Sequence, residues 1–172
     1  MLPRVPNRCG WLSLAQIATV DKSRLYNDSL AQIKAITEGE PNLIANLANI
    51  AAILKQNLGH YWVGFYLVDG ENNELVLGPF QGTPACVRIT RNRGVCGTCW
   101  EQGKTQVVKD VHEFPGHIAC DVNSQSEIVV PVLDSRSEVA MVLDIDHNEV
   151  GAFDDADRMA LELLAKHITS LL

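Results

Sequence analysis

The sequence has no cluster of roughly five or more basic residues and no apolar run near the about eighteen residues of a membrane span. It also has no internal repeat and no low-complexity tract. With a formal net charge of −7, these absences argue against a nucleic-acid partner or an anionic membrane surface. No secretory leader is expected either. Residues 1–20 carry Arg4 and Arg8 but are broken by Ser13 and Gln16, and offer no solid apolar block. The expected compartment is therefore the cytoplasm, where thiols stay reduced. Residues 1–20 read as an N-terminal extension and residues 21–172 as a single domain. A chain of 172 residues buries roughly 70% of its unfolded surface, enough to stand without disulfide staples. Its cysteines are not needed as scaffolding.

Those cysteines are unevenly placed. Of five, Cys86, Cys96, Cys99 and Cys120 fall close together, while Cys9 sits apart in the extension as a bystander. In a reducing compartment such a group reads as catalytic or metal-binding. Cys96-Gly97-Thr98-Cys99 has CxxC spacing, but a zinc site wants a second matched pair. His112, His117 and Cys120 supply no regular ligand spacing, so no metal is expected. Cys96 opens a short predicted helix, where backbone N–H groups favour a thiolate. Cys99 on the same helix reads as an ordinary buried residue. Cys120 lies in a long loop between His117 and Asp121, an accessible position for a nucleophile.

The pattern of elements predicts an α+β fold. A first helix is expected over Leu25–Ile36, ended by Gly39 and Pro41. A second carries Leu43, Leu47, Ile50, Leu54 and Leu58 on one face and closes at Gly59. Tyr61–Val68 and Glu74–Gly78 read as a hairpin. Short strands follow at Cys86–Ile89 and Thr105–Val108, flanking the helix Val95–Gln102. Lys109–Ser126 shows no period, and loops of that length are usually functional. Strands Glu127–Leu133 and Glu138–Asp146 surround the Asp134-Ser135-Arg136 turn, and Asp154 caps a terminal helix. The sum is an antiparallel sheet of about six strands with helices packed on one face.

Alternation along the strand ending at Asp146 separates Val139, Met141, Leu143 and Ile145 from Val142, Asp144 and Asp146. Asp144 and Asp146 thus share a face, with Cα atoms about 6.5–7 Å apart. Pairing across the short turn can bring Glu127 alongside. Three carboxylates in one pocket repel one another, so at least one should hold its proton at neutral pH. Trp62 and Tyr66 share a strand face and could wall a pocket for a thioether methyl or simply fill the core.

Longer motifs then come into view: Gly78-Pro79-Phe80-Gln81-Gly82, Pro84-Ala85-Cys86, Arg93-Gly94-Val95-Cys96-Gly97 and Asp110-Val111. Phe114-Pro115-Gly116-His117-Ile118-Ala119-Cys120-Asp121, Ser126-Glu127-Ile128-Val129-Val130-Pro131 and Leu143-Asp144-Ile145-Asp146 complete the set. Over residues 25–172 the chain resembles the free methionine-(R)-sulfoxide reductases, which are built on a GAF domain. The extension with Cys9 and the additional Cys99 fall outside the pattern. The resemblance implies reduction of free methionine (R)-sulfoxide by a homodimer, with thioredoxin as reductant and no organic or metal cofactor. It implies Cys120 as the nucleophile and Cys86 as the resolving thiol, with Cys96 as second resolver or alternative disulfide partner. Glu127, Asp144 and Asp146 would bind the substrate ammonium, with Glu127 or Asp146 giving the proton, and Trp62 and Tyr66 would face the methyl group. The competing expectation is a non-catalytic GAF module that binds a small ligand.

Overall fold

Helix boundaries follow from caps written in the sequence. The computed structural model describes residues 14–116 and 121–172, with side chains from residue 22 onward. Helix α2 (Leu43–Leu58) starts where the Asn42 side chain accepts from the Ala45 amide, and it stops at Gly59, whose φ of 72° lets its amide reach the Lys55 carbonyl. Helix α4 (Asp155–Thr169) opens on a capping box in which Asp154 accepts from Ala156 and Asp157 while Asp157 accepts from the Asp154 amide. Helix α1 (Leu14–Thr37) begins well before the predicted Leu25. The reason is tertiary: Lys22 donates to Asp157 (2.5 Å), Asp154 (3.2 Å) and the Ala152 carbonyl (3.2 Å), and Tyr26 donates to Asp157 at 2.8 Å. A fully buried Asp157 carboxylate thus has its partners, and α1 is clasped to α4.

Six antiparallel strands lie in the order β3-β2-β1-β6-β5-β4, made of β1 (Trp62–Asp69), β2 (Glu74–Gln81), β3 (Arg88–Thr90), β4 (Gln106–Val108), β5 (Ser126–Leu133) and β6 (Val139–His147). Strand β2 runs past its predicted end at Gly78. A register shift between Gly64 and Tyr66 places Gly78 and Pro79 in a bulge, where a proline without an N–H is tolerated.

Alternation sorts the side chains into two cores. Val63 and Phe65 of β1, Ile128 and Val130 of β5, and Met141, Leu143 and Ile145 of β6 pack with α1, α2 and α4. Trp62, Tyr66, Val129 and Val142 point the other way and pack with α3 (Gly94–Gln102). Three of the described helices therefore share one face, and the short α3 occupies the opposite one beside the cavity described next. His60 sits against Phe153, ring centroids 5.6 Å apart, with neither ring nitrogen hydrogen-bonded. Burial, then the nearby charge of His147, pushes its pKa down to about 3.

Candidate active site

Strand register builds an acidic row. Glu127 on β5 lies directly opposite Asp146 on β6, and Asp146 in turn lies opposite Trp62 on β1. Asp144 pairs with Val129 on one side and with Gly64 on the other. All three carboxylates project from the face away from α1, α2 and α4, into a cavity of about 550 Å³ including its mouth. Glu127 and Asp144 are only 7% and 6% exposed, and Asp146 is half-buried with a hydrogen bond from Ser124. One oxygen of Asp144, Oδ1, is buried without any partner.

Burial and crowding keep protons on these groups. Burial, then the charges of Asp144 and Asp146, pushes the Glu127 carboxyl well above the usual range. Burial, then Asp144, does the same to Asp146. Asp144 rises to about 6 through burial, held back by hydrogen bonds with Cys96 and Glu127. The site is thus an acid able to give up a proton beside carboxylates able to hold a cation.

An aromatic wall faces the acids. Trp62 stacks on Phe80 at 5.4 Å and on Tyr66 at 6.2 Å, and its Nε1 donates to the Thr83 carbonyl at 3.0 Å. The indole has its room because Gly64 and Gly82 lack side chains: a Cβ at either would collide with it, and Gly82 also holds a φ of 150°. Tyr66 donates to the Cys86 carbonyl at 3.0 Å.

The thiols divide into three situations. Cys86 is disulfide-bonded. Cys96 and Cys99 are free and buried, so neither is its partner. The Cys96 thiol lines the cavity and donates toward Glu127 Oε1 at 3.9 Å. Its position at the start of α3 predicts a lowered pKa; instead burial, with Asp144 and Glu127 nearby, pushes the thiol well above its ordinary value. Desolvation and two carboxylates outweigh the field of one helix terminus. Cys99 points elsewhere, toward the Val129 carbonyl at 3.6 Å. Cys120, assigned above as nucleophile, and Cys9 lie outside the described residues. The donor atoms of Cys96, Glu127 and Asp144 lie within 4.8 Å of one another, the one such group among the described residues.

Several lining residues escape sequence reasoning. Asp121, adjacent to Cys120 in the chain, accepts from Tyr61 (2.9 Å), Thr83 (2.5 Å) and the Asn123 amide (2.8 Å). These bonds hold its pKa below the carboxylate range, Thr83 contributing most. They also tie Asp121 to the segment preceding Cys86. The Asp-x-Asn spacing signals a local turn, but nothing in it names Tyr61 or Thr83. Arg93 lines the rim at the start of α3, which has no side-chain cap. A second depression, lined by Lys104, Pro131, Arg158 and Lys166 among others, contains no cysteine and no buried acid.

The GAF domain family matches residues 47–172. The GAF domain-containing protein A of Dictyostelium discoideum is 50% identical over 151 residues, spanning 88% of this chain and 94% of that protein. The free methionine-R-sulfoxide reductase of Escherichia coli is 44% identical over 154 residues, spanning 89% of this chain and 92% of that one. Among solved structures, the free methionine-R-sulfoxide reductase of Neisseria meningitidis in complex with its substrate is similar at a TM-score of 0.86 and 50% identity, over 88% of this chain and 90% of that one. Sheet order, acidic cavity and relatives converge, and the chain belongs to the free methionine-R-sulfoxide reductase family, built on a GAF domain.

Proposed function

We propose that this protein reduces free methionine (R)-sulfoxide to methionine. The observation that carries the reading is the row of Glu127, Asp144 and Asp146 beside Trp62, in a cavity also lined by Asp121, the chain neighbour of Cys120. The relatives named as reductases, one solved with its substrate, support it.

The Cys120 thiolate attacks the sulfoxide sulfur while Glu127 or Asp146 protonates the oxygen, and methionine leaves with Cys120 as a sulfenic acid. Sulfur in the substrate is reduced and sulfur in the protein oxidised by the same two electrons. The Cys86 thiol condenses with the sulfenic acid, expelling water and forming a disulfide that thioredoxin opens by exchange. The disulfide at Cys86, formed with neither Cys96 nor Cys99, supports Cys86 as resolver; Cys96 stays as the alternative partner for Cys120. The acids clasp the substrate ammonium, Trp62 and Tyr66 receive the methyl group, and Arg93 with the uncapped start of α3 takes the carboxylate. A site so built favours the free amino acid over a peptide, which has lost both charges. The same reading places the enzyme in the cytoplasm as a homodimer. None of the described helices is long and apolar enough to cross a membrane.

The test is a coupled assay with thioredoxin, thioredoxin reductase and NADPH, with chiral analysis of the remaining sulfoxide. A racemic substrate is expected to stop at about half consumption, because a pocket with fixed acids positions one epimer. C120S is expected to abolish even one turnover, and C86S to release about one methionine per site and then stall. No turnover by the unaltered chain would leave a ligand-binding GAF module.

A further inference from the structure

The proposed cycle runs chiefly on Cys120 and Cys86, and the third thiol, the alternative partner Cys96, lies inside the acid cluster. Cys96 is 3% exposed, Glu127 7% and Asp144 6%. Their donor atoms lie within 4.8 Å of one another, with Cys96 Sγ and Glu127 Oε1 3.9 Å apart. Independently, Asp144 Oδ1 is buried with no hydrogen-bond partner, although the carboxyl as a whole bonds with Cys96 and Glu127, so one acceptor in the cluster stays open. Among the described residues no lysine or arginine forms an ion pair with any of the three acids.

We propose that Cys96, Glu127 and Asp144 form a binding site for a thiophilic divalent cation of the zinc class, which occupies the acids that otherwise hold the substrate ammonium. One sulfur and two oxygens, from three buried side chains that line the cavity, is a donor set for a tetrahedral soft cation. It does not suit calcium or magnesium, which take about six oxygens. Zinc with bonds of about 2.3 Å to sulfur and about 2.0–2.2 Å to oxygen sets those atoms roughly 3.5 Å apart, so Cys96 Sγ and Glu127 Oε1, now 3.9 Å apart, draw in slightly and the whole group closes from within 4.8 Å. The fourth position falls to Asp146 or to water. On binding, the protons held by Cys96 and Glu127 leave to solvent and the cation takes their place between sulfur and carboxylates, with no change of oxidation state. This site differs from the CxxC reading of the sequence, because the Cys99 sulfur faces the Val129 carbonyl instead.

The cation site stands on cavity geometry; only its effect on turnover rests on the reductase reading. The test titrates the full chain, with its Cys86 disulfide intact, with Co²⁺, following the thiolate-to-cobalt charge-transfer band in the near ultraviolet. One equivalent is expected in the unaltered protein and in C99S, with the band displaced by Zn²⁺. C96S should lose the band, D144N should weaken binding at least 10-fold, and added free methionine should lower the apparent affinity. No band at millimolar Co²⁺, or an undiminished band in C96S, overturns the proposal; should C96S fail to fold, unchanged affinity in D144N overturns it. Metal binding without sulfoxide turnover would refute the reductase reading alone, and turnover without metal binding would refute this inference alone.

Discussion

The two faces of the sheet come from the same strands and do opposite work. In β6, Leu143 and Asp144 are chain neighbours, both almost wholly buried. Leu143 packs under α1, α2 and α4, and Asp144 lines the cavity beside α3. Each side also holds an unpartnered polar group: His60 against the larger core, and Asp144 Oδ1 in the cavity. On the core side the orphan is a plain penalty. On the cavity side it is an acceptor left open where the proposed cation would bind. One face carries the stability and the other spends some of it on chemistry.

The sharpest way to break that contrast is to alter the neighbours one at a time. D144N removes a charge from the acid row and is expected to lower kcat/KM by about 10²–10³-fold, with a melting temperature unchanged or raised because like-charge crowding is relieved. L143A is expected to cost about 2–5 kcal/mol in denaturant unfolding, with near-normal kcat for the molecules still folded. If D144N unfolds the protein, or L143A silences the folded enzyme, the division between faces fails. G64A probes the seam between them. Its Cβ collides with Trp62 and Phe80, so about 1–3 kcal/mol of overpacking strain should appear with a raised KM for the sulfoxide.

The smallest effect belongs to His60. Its folded-state pKa, near 3, lies below the unfolded value of about 6.5, so the unfolded chain binds the extra proton between those limits. The stability from keeping this ring neutral is complete above about pH 6.5. It falls as the solution is acidified toward pH 3, by at most about 1.4 kcal/mol per pH unit. H60L should flatten that part of the acid limb and raise neutral-pH stability by about 1 kcal/mol, as measured by urea unfolding across pH. An acid limb identical to the parent's would show that His60 finds a partner in solution.

What was legible in the sequence follows the same division. Period-two alternation in β6 and the short turn at residues 134–136 were enough to put Glu127, Asp144 and Asp146 on one face, since pleat and turn length are local rules. Gly59 and Asp154 marked helix ends for the same reason. The start of α1 was not legible. Asp21, Lys22, Ser23 and Arg24 break any apolar period, and that turn of helix is held by Asp157, far away in the chain. The course of β2 past Gly78 depends on a bulge that only its pairing with β1 reveals. Nor could the sequence predict the Cys96 thiol, because helix position was visible and burial beneath two carboxylates was not.

The clasp between α1 and α4 bears on how the protein can be cut. The GAF match begins at residue 47, and every side chain that lines the acidic cavity lies beyond that point. A fragment trimmed there would keep the full complement of reacting groups. It would also strip Tyr26, Leu30 and Ile33 from beneath the sheet and leave the Asp157 carboxylate without its Lys22 counter-ion. The boundary suggested by kinship is thus too short for a stable fragment; trimming from the front has to stop ahead of Lys22.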